Sequence, residues 1–287
     1  MNRPKLILLV GIPGSGKTTY ATQYIERNAD AVHLSSDAVR KEFYGDENIQ
    51  GNPTDVFSWM QRRTVEALND GYDVIYDATN ITRKDRASII NVCPKFAKIE
   101  CHIIWAPIGM CIERDAVRER TVGKEVIDRM LKRFQAPFFD EGIDEITIVR
   151  PPEFNSTQYE NGCWNAMDIP HDNHHHLFNV QWHCRRASGL IQGRDGQLQV
   201  AAWYHDIGKP YTKDFKDSKG NPSEEAHFYQ HQCVGAYIAC GFINSPKIIW
   251  LISTHMDPFL NTKYWRNLPA FLKKDVDLLH EADLNAH

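Results

Sequence analysis

One octapeptide constrains this chain more than any other stretch: Gly11-Ile12-Pro13-Gly14-Ser15-Gly16-Lys17-Thr18. An apolar run, Lys5 to Val10, leads into it, and a segment of helical character beginning with Thr18 and Thr19 leads out. A strand, a tight glycine turn and a helix start, in that order, turn backbone N–H groups toward a polyphosphate. Lys17 is placed to reach the β- and γ-phosphates and Thr18 to hold magnesium, with Gly14, Ser15, Gly16 and Thr19 completing the cradle. A glycine turn with only a structural role would give no reason for Lys17.

At 287 residues the chain is comfortable for two domains, each able to bury its own core. An apolar share of 42% and a charged share of 24% describe a soluble globular protein. The net charge of −4 excludes a surface that binds polyanions everywhere, so any nucleic-acid contact must be local. Arg83, Lys84, Arg86, Lys95 and Lys98 are a candidate for such a basic patch, although a charge run of this kind is usually a solvated helix face. Seven cysteines without a Cys-x-x-Cys pair favour reduced thiols and a cytoplasmic location. Leu6 to Val10 is too short for a signal-peptide core, and no run approaches membrane-spanning length, so no membrane partner is expected.

Strand-like runs at Lys5–Val10, Ala31–Leu34, Asp73–Tyr76, Lys98–Trp105 and Glu145–Val149 alternate with helical patterns, as a parallel sheet with crossover helices requires. Ligands of such sheets bind beyond the carboxyl ends of the strands, so the residues following each strand matter most. After the second strand, Asp37 and Arg40 are spaced to share one side of a helical turn. Asp37 suits a general base accepting a proton from an attacking hydroxyl, and Arg40 an acceptor phosphate; the alternative for Asp37 is a helix cap. Asp77, in Asp77-Ala78-Thr79-Asn80, is placed for the magnesium shell or else shapes a turn. Arg114 and Arg118 stand four apart, hence on one helix face, where two guanidinium groups could close over the phosphates; Arg120 lies off that face.

These motifs, Gly-x-x-Gly-Ser-Gly-Lys-Thr, Ser-Asp-x-x-Arg, Asp-x-Thr-Asn and Arg-x-x-x-Arg, resemble in order and pacing the kinase domain of bacteriophage-type polynucleotide kinases. The resemblance spans roughly residues 5 to 150. It implies an α/β P-loop kinase domain over 1–150 that moves the γ-phosphate of ATP, or another NTP, to a 5′-hydroxyl end of RNA or DNA. By it, Lys17 and Thr18 are the phosphate and magnesium residues, Asp37 the general base, Arg40 the acceptor-phosphate ligand, and Arg114 and Arg118 the lid.

Pro151-Pro152 blocks further strand or helix, and 151–170 reads as a packed connector, since Phe154, Tyr159 and Trp164 would be costly to expose. From His171 the chain reads as helices. An apolar helix runs into His205-Asp206, and His183, His231, His255 and Asp283 flank it at successive gaps of 22, 26, 24 and 28 residues. Each gap fits one helix plus its connection, so each ligand can come from a different helix of one bundle. Imidazole with carboxylate is a transition-metal ligand set, and Asp206 suits a bridge between two ions. Taken singly, each histidine reads as a packed or surface residue.

The order His, His-Asp, His, His, Asp resembles the HD-domain metal-dependent phosphohydrolases, with His205-Asp206-Ile207-Gly208-Lys209 matching their central signature. That implies an all-α HD helix bundle over 171–287. By it, His183, His205, Asp206 and Asp283 form the basic metal set, His231 and His255 complete a two-ion version, and Lys209 offers positive charge to a substrate phosphate. One or two ions of manganese, iron, cobalt or nickel would serve. Asn173-His174-His175-His176 and His227 read as polar surroundings with a lesser chance of phosphate contact. Lys213 to Glu225 reads as a mobile loop, and Asp275-Val276-Asp277 as a helix face.

Together the halves resemble the bacterial HD-domain/polynucleotide-kinase end-healing enzymes, with the domain order reversed. The resemblance implies RNA or DNA ends as substrates, RNA favoured, with 5′-hydroxyl phosphorylation, removal of 3′-phosphate or 2′,3′-cyclic phosphate, and a separate ligase downstream. Two other readings stand beside it. One is a small-molecule or nucleotide kinase fused to an HD nucleotidase; the other is a nucleotide-switched regulatory protein with a structural metal.

Overall fold

The computed structural model describes residues 3–46, 49, 51–119, 121–173 and 177–286. The chain divides into two compact units, Met1–Met130 with Pro137–Pro152, and Leu131–Ala136 with Glu153–His287. Among the described residues no helix is long and apolar enough to cross a membrane. All seven cysteines are free.

The first unit is built on β1 (Lys5–Val10), β2 (Ala31–Ser35), β3 (Asp73–Asp77), β4 (Lys98–Ile104) and β5 (Glu145–Val149), each within one residue of its sequence-predicted bounds. They form one parallel sheet in the order β2-β3-β1-β4-β5. Because side chains alternate along a strand, Leu6 and Leu8 enter one core with Val39, Val56, Met60, Leu68 and Ile89, while Ile7 and Leu9 enter the other with Ala21. The first core is closed by α2 (Ser36–Tyr44), α3 (Pro53–Asn69) and α4 (Arg83–Ile90), the second by α1 (Lys17–Arg27). Local signals start these helices. Asn52 caps α3 ahead of Pro53, and Thr82 with Asp85 makes a capping box for α4. The unit continues in α5 (Ile108–Ala116), and α6 (Lys124–Leu131) follows.

The basic patch is not one surface. Arg86 lies on the buried side of α4, where Nε and Nη2 each donate to the Glu141 carboxylate at 2.7 Å and Nη1 donates to Asn80 O at 3.0 Å. Lys98 pairs with Glu100 and Glu145. A helix whose first turn is basic turned one of its cations inward, and a carboxylate distant in sequence met it.

The second unit is helical except for one hairpin. It contains α7 (Ser156–Ala166), α8 (Val180–Leu190), α9 (Gly196–Tyr204), the ribbon β6 (Asp214–Lys216) with β7 (Pro222–His227), α10 (His231–Ala239), α11 (Pro246–Thr254), α12 (Lys263–Arg266) and α13 (Ala270–Leu284). The helical bundle is as expected, while the stretch 213–225, expected as a loop, carries this ribbon. Its strands are antiparallel, and the turn is fixed by Asp217 accepting from Lys219 and Asn221. The expected connector 151–170 carries α7, whose Cys163 is buried and whose Trp164 stacks on Trp203 at 4.9 Å and 15°. Asp275 and Asp277 lie on α13, as a helix face, paired with Lys247 and with the Trp265 indole.

Leu131–Ala136 also belongs to this unit. Phe134 packs edge-on against Tyr237, and the Ala136 N–H donates to Ser253 Oγ at 3.2 Å. Every residue of α10 is buried, as are Ile248 to Thr254 of α11, so these are its central helices. Gly208, just after α9, lies so close to α10 that a Cβ there would fall 2.0 Å from His231 O. Only glycine permits that approach.

Arg86→Ala leaves Glu141 buried without its cation and should lower the stability of the first unit by about 3–5 kcal/mol. Urea unfolding followed by circular dichroism checks this, and an unchanged midpoint would contradict the assigned role of the pair.

Candidate active sites

The phosphate loop owes its shape to two left-handed glycines. Gly14 has φ 77° and passes so near α5 that a Cβ would fall 2.2 Å from Cys111 O. Gly16, at φ 103°, opens α1 with no side-chain cap. Lys17 arches over the loop, with Nζ donating to Gly11 O and Ile12 O at 3.0 Å each. Burial pulls the Lys17 pKa down, opposed by the Asp77 carboxylate. Thr18 Oγ1 donates to Asp77 Oδ2 at 3.1 Å, and His33 Nε2 lies 3.2 Å from the same oxygen. The loop is stitched to the end of β3, since Gly11 N–H donates to Thr79 O and the Asn80 amide donates to Leu9 O at 2.9 Å.

Lys17, Thr18, Asp37, Arg40, Asp77 and Arg118 line one cavity of about 600 Å³. Ser35 Oγ accepts from the Asp37 N–H and caps α2, so capping does not fall to the Asp37 carboxylate. That carboxylate accepts from Arg40 Nη1 at 2.8 Å, the i,i+3 contact expected from the spacing. The residues suit a nucleotide with magnesium. A hydroxyl and a carboxylate already converge at Thr18 and Asp77, hard oxygen donors of the kind magnesium takes. Ser15 Oγ is buried in the loop without a hydrogen-bond partner among the described residues.

Arg114 and Arg118 do not share a helix face. The buried Asp115 carboxylate accepts from Val122 N–H at 3.0 Å and Gly123 N–H at 2.9 Å, which turns the chain and ends α5 at Ala116. Arg118 therefore lines the 600 Å³ cavity. Arg114 lines a different one, of about 310 Å³, with Gly16, Thr19, Tyr20, Trp105 and Arg150. Its Nη1 approaches Gly14 O at 3.4 Å. Arg120 falls outside the described residues. His33, Trp105 and Arg150 were not singled out from the sequence. Only the position of Trp105 and Arg150 at strand ends could have signalled them.

In the second unit one carboxylate joins two clusters of donors. His183, His205, Asp206 and Asp283 form the first and Asp206, His231 and His255 the second, with donor atoms within 4.8 Å of one another in each. Asp206 Oδ2 lies 3.3 Å from His205 Nε2 and 3.6 Å from His183 Nε2. Its Oδ1 lies 3.1 Å from His231 Nε2 and 3.9 Å from His255 Nε2. Asp283 Oδ1 closes the first cluster, 2.8 Å from His183 and 3.2 Å from His205. Five helices or their ends supply the six residues, with His205 and Asp206 together at the end of α9, His255 as the C-cap of α11 and His231 opening α10.

Backbone carbonyls set the tautomers. The Nδ1 atoms of His205, His231 and His255 each lie 2.8 Å from the carbonyl three residues back, that of Ala202, Phe228 or Ile252. A carbonyl only accepts, so Nδ1 carries the hydrogen and the neutral ring turns a lone pair inward from Nε2. His231 Nε2 and His255 Nε2 then face one another at 3.0 Å. Two lone pairs at that distance repel unless a cation sits among them. Burial, and then the neighbouring His231 and His205, push His255 down to about 3. A metal ion among these donors would relieve the repulsion, and imidazole with carboxylate is a set that suits the transition series. Burial works against charge on His205, but the Asp206 and Asp283 carboxylates raise it well above the usual imidazole value. Metal binding there releases a proton. Burial likewise works to raise Asp206, but His205 and Lys209 hold it well below the usual carboxylate range.

Lys209 is buried, with Nζ 2.6 Å from Asp206 Oδ2 and 3.1 Å from His171 Nε2. Its partner His171 was not singled out. Its Nδ1 lies 2.8 Å from the Phe178 carbonyl, and burial, then the Lys209 charge, push it down to about 3, which keeps Nε2 an acceptor. Nothing in its sequence context marked it. His227 lies outside both clusters, with Nε2 3.2 Å from Ser223 Oγ. Of the polar stretch before α8, Asn173 lines a cavity beside Lys209, and His174, His175 and His176 fall outside the described residues.

Two family descriptions match the chain, an AAA domain over residues 6–137 and an HD domain over residues 173–283. Among curated proteins it is similar to the L-seryl-tRNA(Sec) kinase of Methanococcus maripaludis, 28% identical over 138 residues, or 46% of this chain and 53% of that one. The chain thus spans about half the length of that relative. Among solved structures it is similar to a chain of the Pnkp1/Rnl/Hen1 RNA repair complex, with TM-score 0.43, 22% identity and coverage of 46% of this chain and 44% of that one. It is also similar to a fungal RNA kinase, with TM-score 0.40, 14% identity and coverage of 56% and 42%. The chain joins a kinase-like AAA domain to an HD domain.

Proposed function

We propose that this chain heals nucleic-acid ends, phosphorylating a 5′-hydroxyl from ATP or another NTP in its first unit and removing a 3′-phosphate or 2′,3′-cyclic phosphate in its second. The observation that carries this reading is the shared carboxylate of Asp206, because a chain with a two-cluster donor set in one unit and a phosphate-loop cavity in the other is equipped for two opposite phosphate chemistries.

In the kinase cavity Asp37 accepts the proton of the attacking hydroxyl and Arg40 binds a phosphate on the acceptor. Lys17 and Arg118 neutralise charge on the transferring group, while Thr18 and Asp77 hold magnesium. Arg114, in the neighbouring cavity, grips the donor nucleotide. In the second unit His183, His205, Asp206 and Asp283 hold one ion and Asp206, His231 and His255 another, drawn from manganese, iron, cobalt or nickel. Such a pair supplies hydroxide and stabilises both attacking and leaving oxygens. Lys209 keeps Asp206 ionised and oriented and lends positive charge to the substrate phosphate. RNA is favoured over DNA, since a relative at 28% identity is named for an RNA-borne acceptor. A separate ligase would seal the product, and the work belongs in the cytoplasm.

An oligoribonucleotide with a 5′-hydroxyl and a 3′-phosphate checks the division of labour. Lys17→Ala should lose 5′ phosphorylation only, and Asp206→Ala only 3′ removal. Joint loss of both activities in each variant, or an unaltered substrate with the wild type, would contradict it. Elemental analysis after dialysis should find two ions per chain in wild type, one in His255→Ala and none in Asp206→Ala; two ions in Asp206→Ala would rule out the bridge. Arg114→Ala should raise KM for the NTP about tenfold, the loss of one charge-assisted contact. Arg118→Ala should instead lower kcat by about 100-fold. Equal effects of the two on KM and kcat would undo their separate assignments.

A further inference from the structure

Beside the metal centre lies a second feature that phosphate chemistry alone does not require. A cavity of about 350 Å³ is lined by Lys209 and His231, and by Phe228, Tyr229, Met256 and Phe259. Lys209 Nζ, which touches the bridging carboxylate, stands 5.4 Å from the centre of the Phe228 ring. The same residue's carbonyl fixes the tautomer of His231. The next residues form a tight turn, with Gln230 in the left-handed region at φ 63°, a conformation that a glutamine adopts only at a cost. Tyr229 leaves this turn stacked on His227, with ring centres 5.3 Å apart and planes 9° apart. Tyr229 is 41% exposed and Phe259 67%, on the lining of the same cavity. Large aromatic faces left open beside a buried ionic centre call for a flat apolar partner.

We propose that this cleft takes the nucleobase of the nucleotide whose phosphate lies at the metal centre, so the second site recognises a nucleoside phosphate by base as well as by phosphate. The proposal rests on the phosphohydrolase reading of that centre. The volume of about 350 Å³ suits one nucleoside unit, since ligand cavities begin at about 300 Å³. That unit is the terminal residue of a strand or a free nucleotide. Recognition by ring faces is tolerant of sequence, because every base has a π-face. All four bases are accepted, and phosphate esters that lack a base are poor substrates.

Phe259→Ala and Tyr229→Ala test this on exposed side chains, where truncation does not threaten folding. Two readouts are compared. The first is saturation-transfer NMR of uridine 3′-monophosphate with metal-depleted protein. The second is the ratio of kcat/KM for uridine 3′-monophosphate to that for glycerol 2-phosphate with metal-loaded protein. Base-proton saturation should fall severalfold in the double variant, the ratio should fall about tenfold in Phe259→Ala, and Phe259→Trp should restore it. Unchanged saturation together with an unchanged ratio overturns the cleft while leaving the phosphohydrolase standing. Saturation that depends on Phe259, in a protein that hydrolyses neither ester, supports the cleft and overturns the phosphohydrolase reading instead.

Discussion

The two donor clusters of the second unit hang on a single buried carboxylate. Removing Asp206 from water costs several kcal/mol unless partners replace the lost hydration. The Lys209 ammonium at 2.6 Å supplies one, and imidazoles approach both oxygens. Because the two oxygens face different histidines, one residue sets the spacing of two clusters. The surrounding fold follows from that demand. Helices α8, α9, α10, α11 and α13 each deliver a ligand at or near the carboxylate, and Gly208 allows the chain leaving Asp206 to press against α10. Carbonyls at the ends of helical turns then fix which nitrogen of each ring points inward.

A comparable economy governs the first unit, where a buried ion pair anchors a loop. Glu141 holds Arg86, Arg86 donates to the carbonyl of Asn80, and the Asn80 amide donates to Leu9 O at the end of β1. Asn80 takes the left-handed backbone, at φ 45°, that lets it serve both. This chain of contacts positions Asp77 against Thr18 at the carboxyl ends of β1 and β3, where a parallel sheet offers its ligand site. In both units the chemistry sits where regular structure stops, since unpaired backbone groups and freed side chains meet there.

Much of this was legible before any coordinates. The central strands are buried on both faces of the parallel sheet and so read as continuous apolar runs, which stood out, and the phosphate loop has a spacing that few other structures demand. The donors gathered around Asp206 were readable because the positions 183, 205–206, 231, 255 and 283 follow one another by one helix and its connection. What escaped was decided by contacts distant in sequence. Arg86 looked like one of a row of exposed cations until Glu141, 55 residues away, met it. Arg118 looked like the helical partner of Arg114, but the Asp115 carboxylate captured two downstream N–H groups and broke the helix between them. His171 carried no local signal, because its role depends on Lys209, 38 residues on. Leu131–Ala136 sits in the middle of the first unit's sequence yet packs with the second, which no periodicity reveals. The ribbon of β6 and β7 was hidden by its charged and turn-forming residues, since a short exposed hairpin buries little and leaves a weak alternation.

Two ions that share one carboxylate must feel each other magnetically. Electron paramagnetic resonance of the protein loaded with manganese(II) tests this directly. A bridged centre predicts the spectrum of an exchange-coupled pair, which collapses to that of a single isolated ion in His255→Ala. Isolated-ion spectra in the wild type at full loading would contradict the shared role of Asp206.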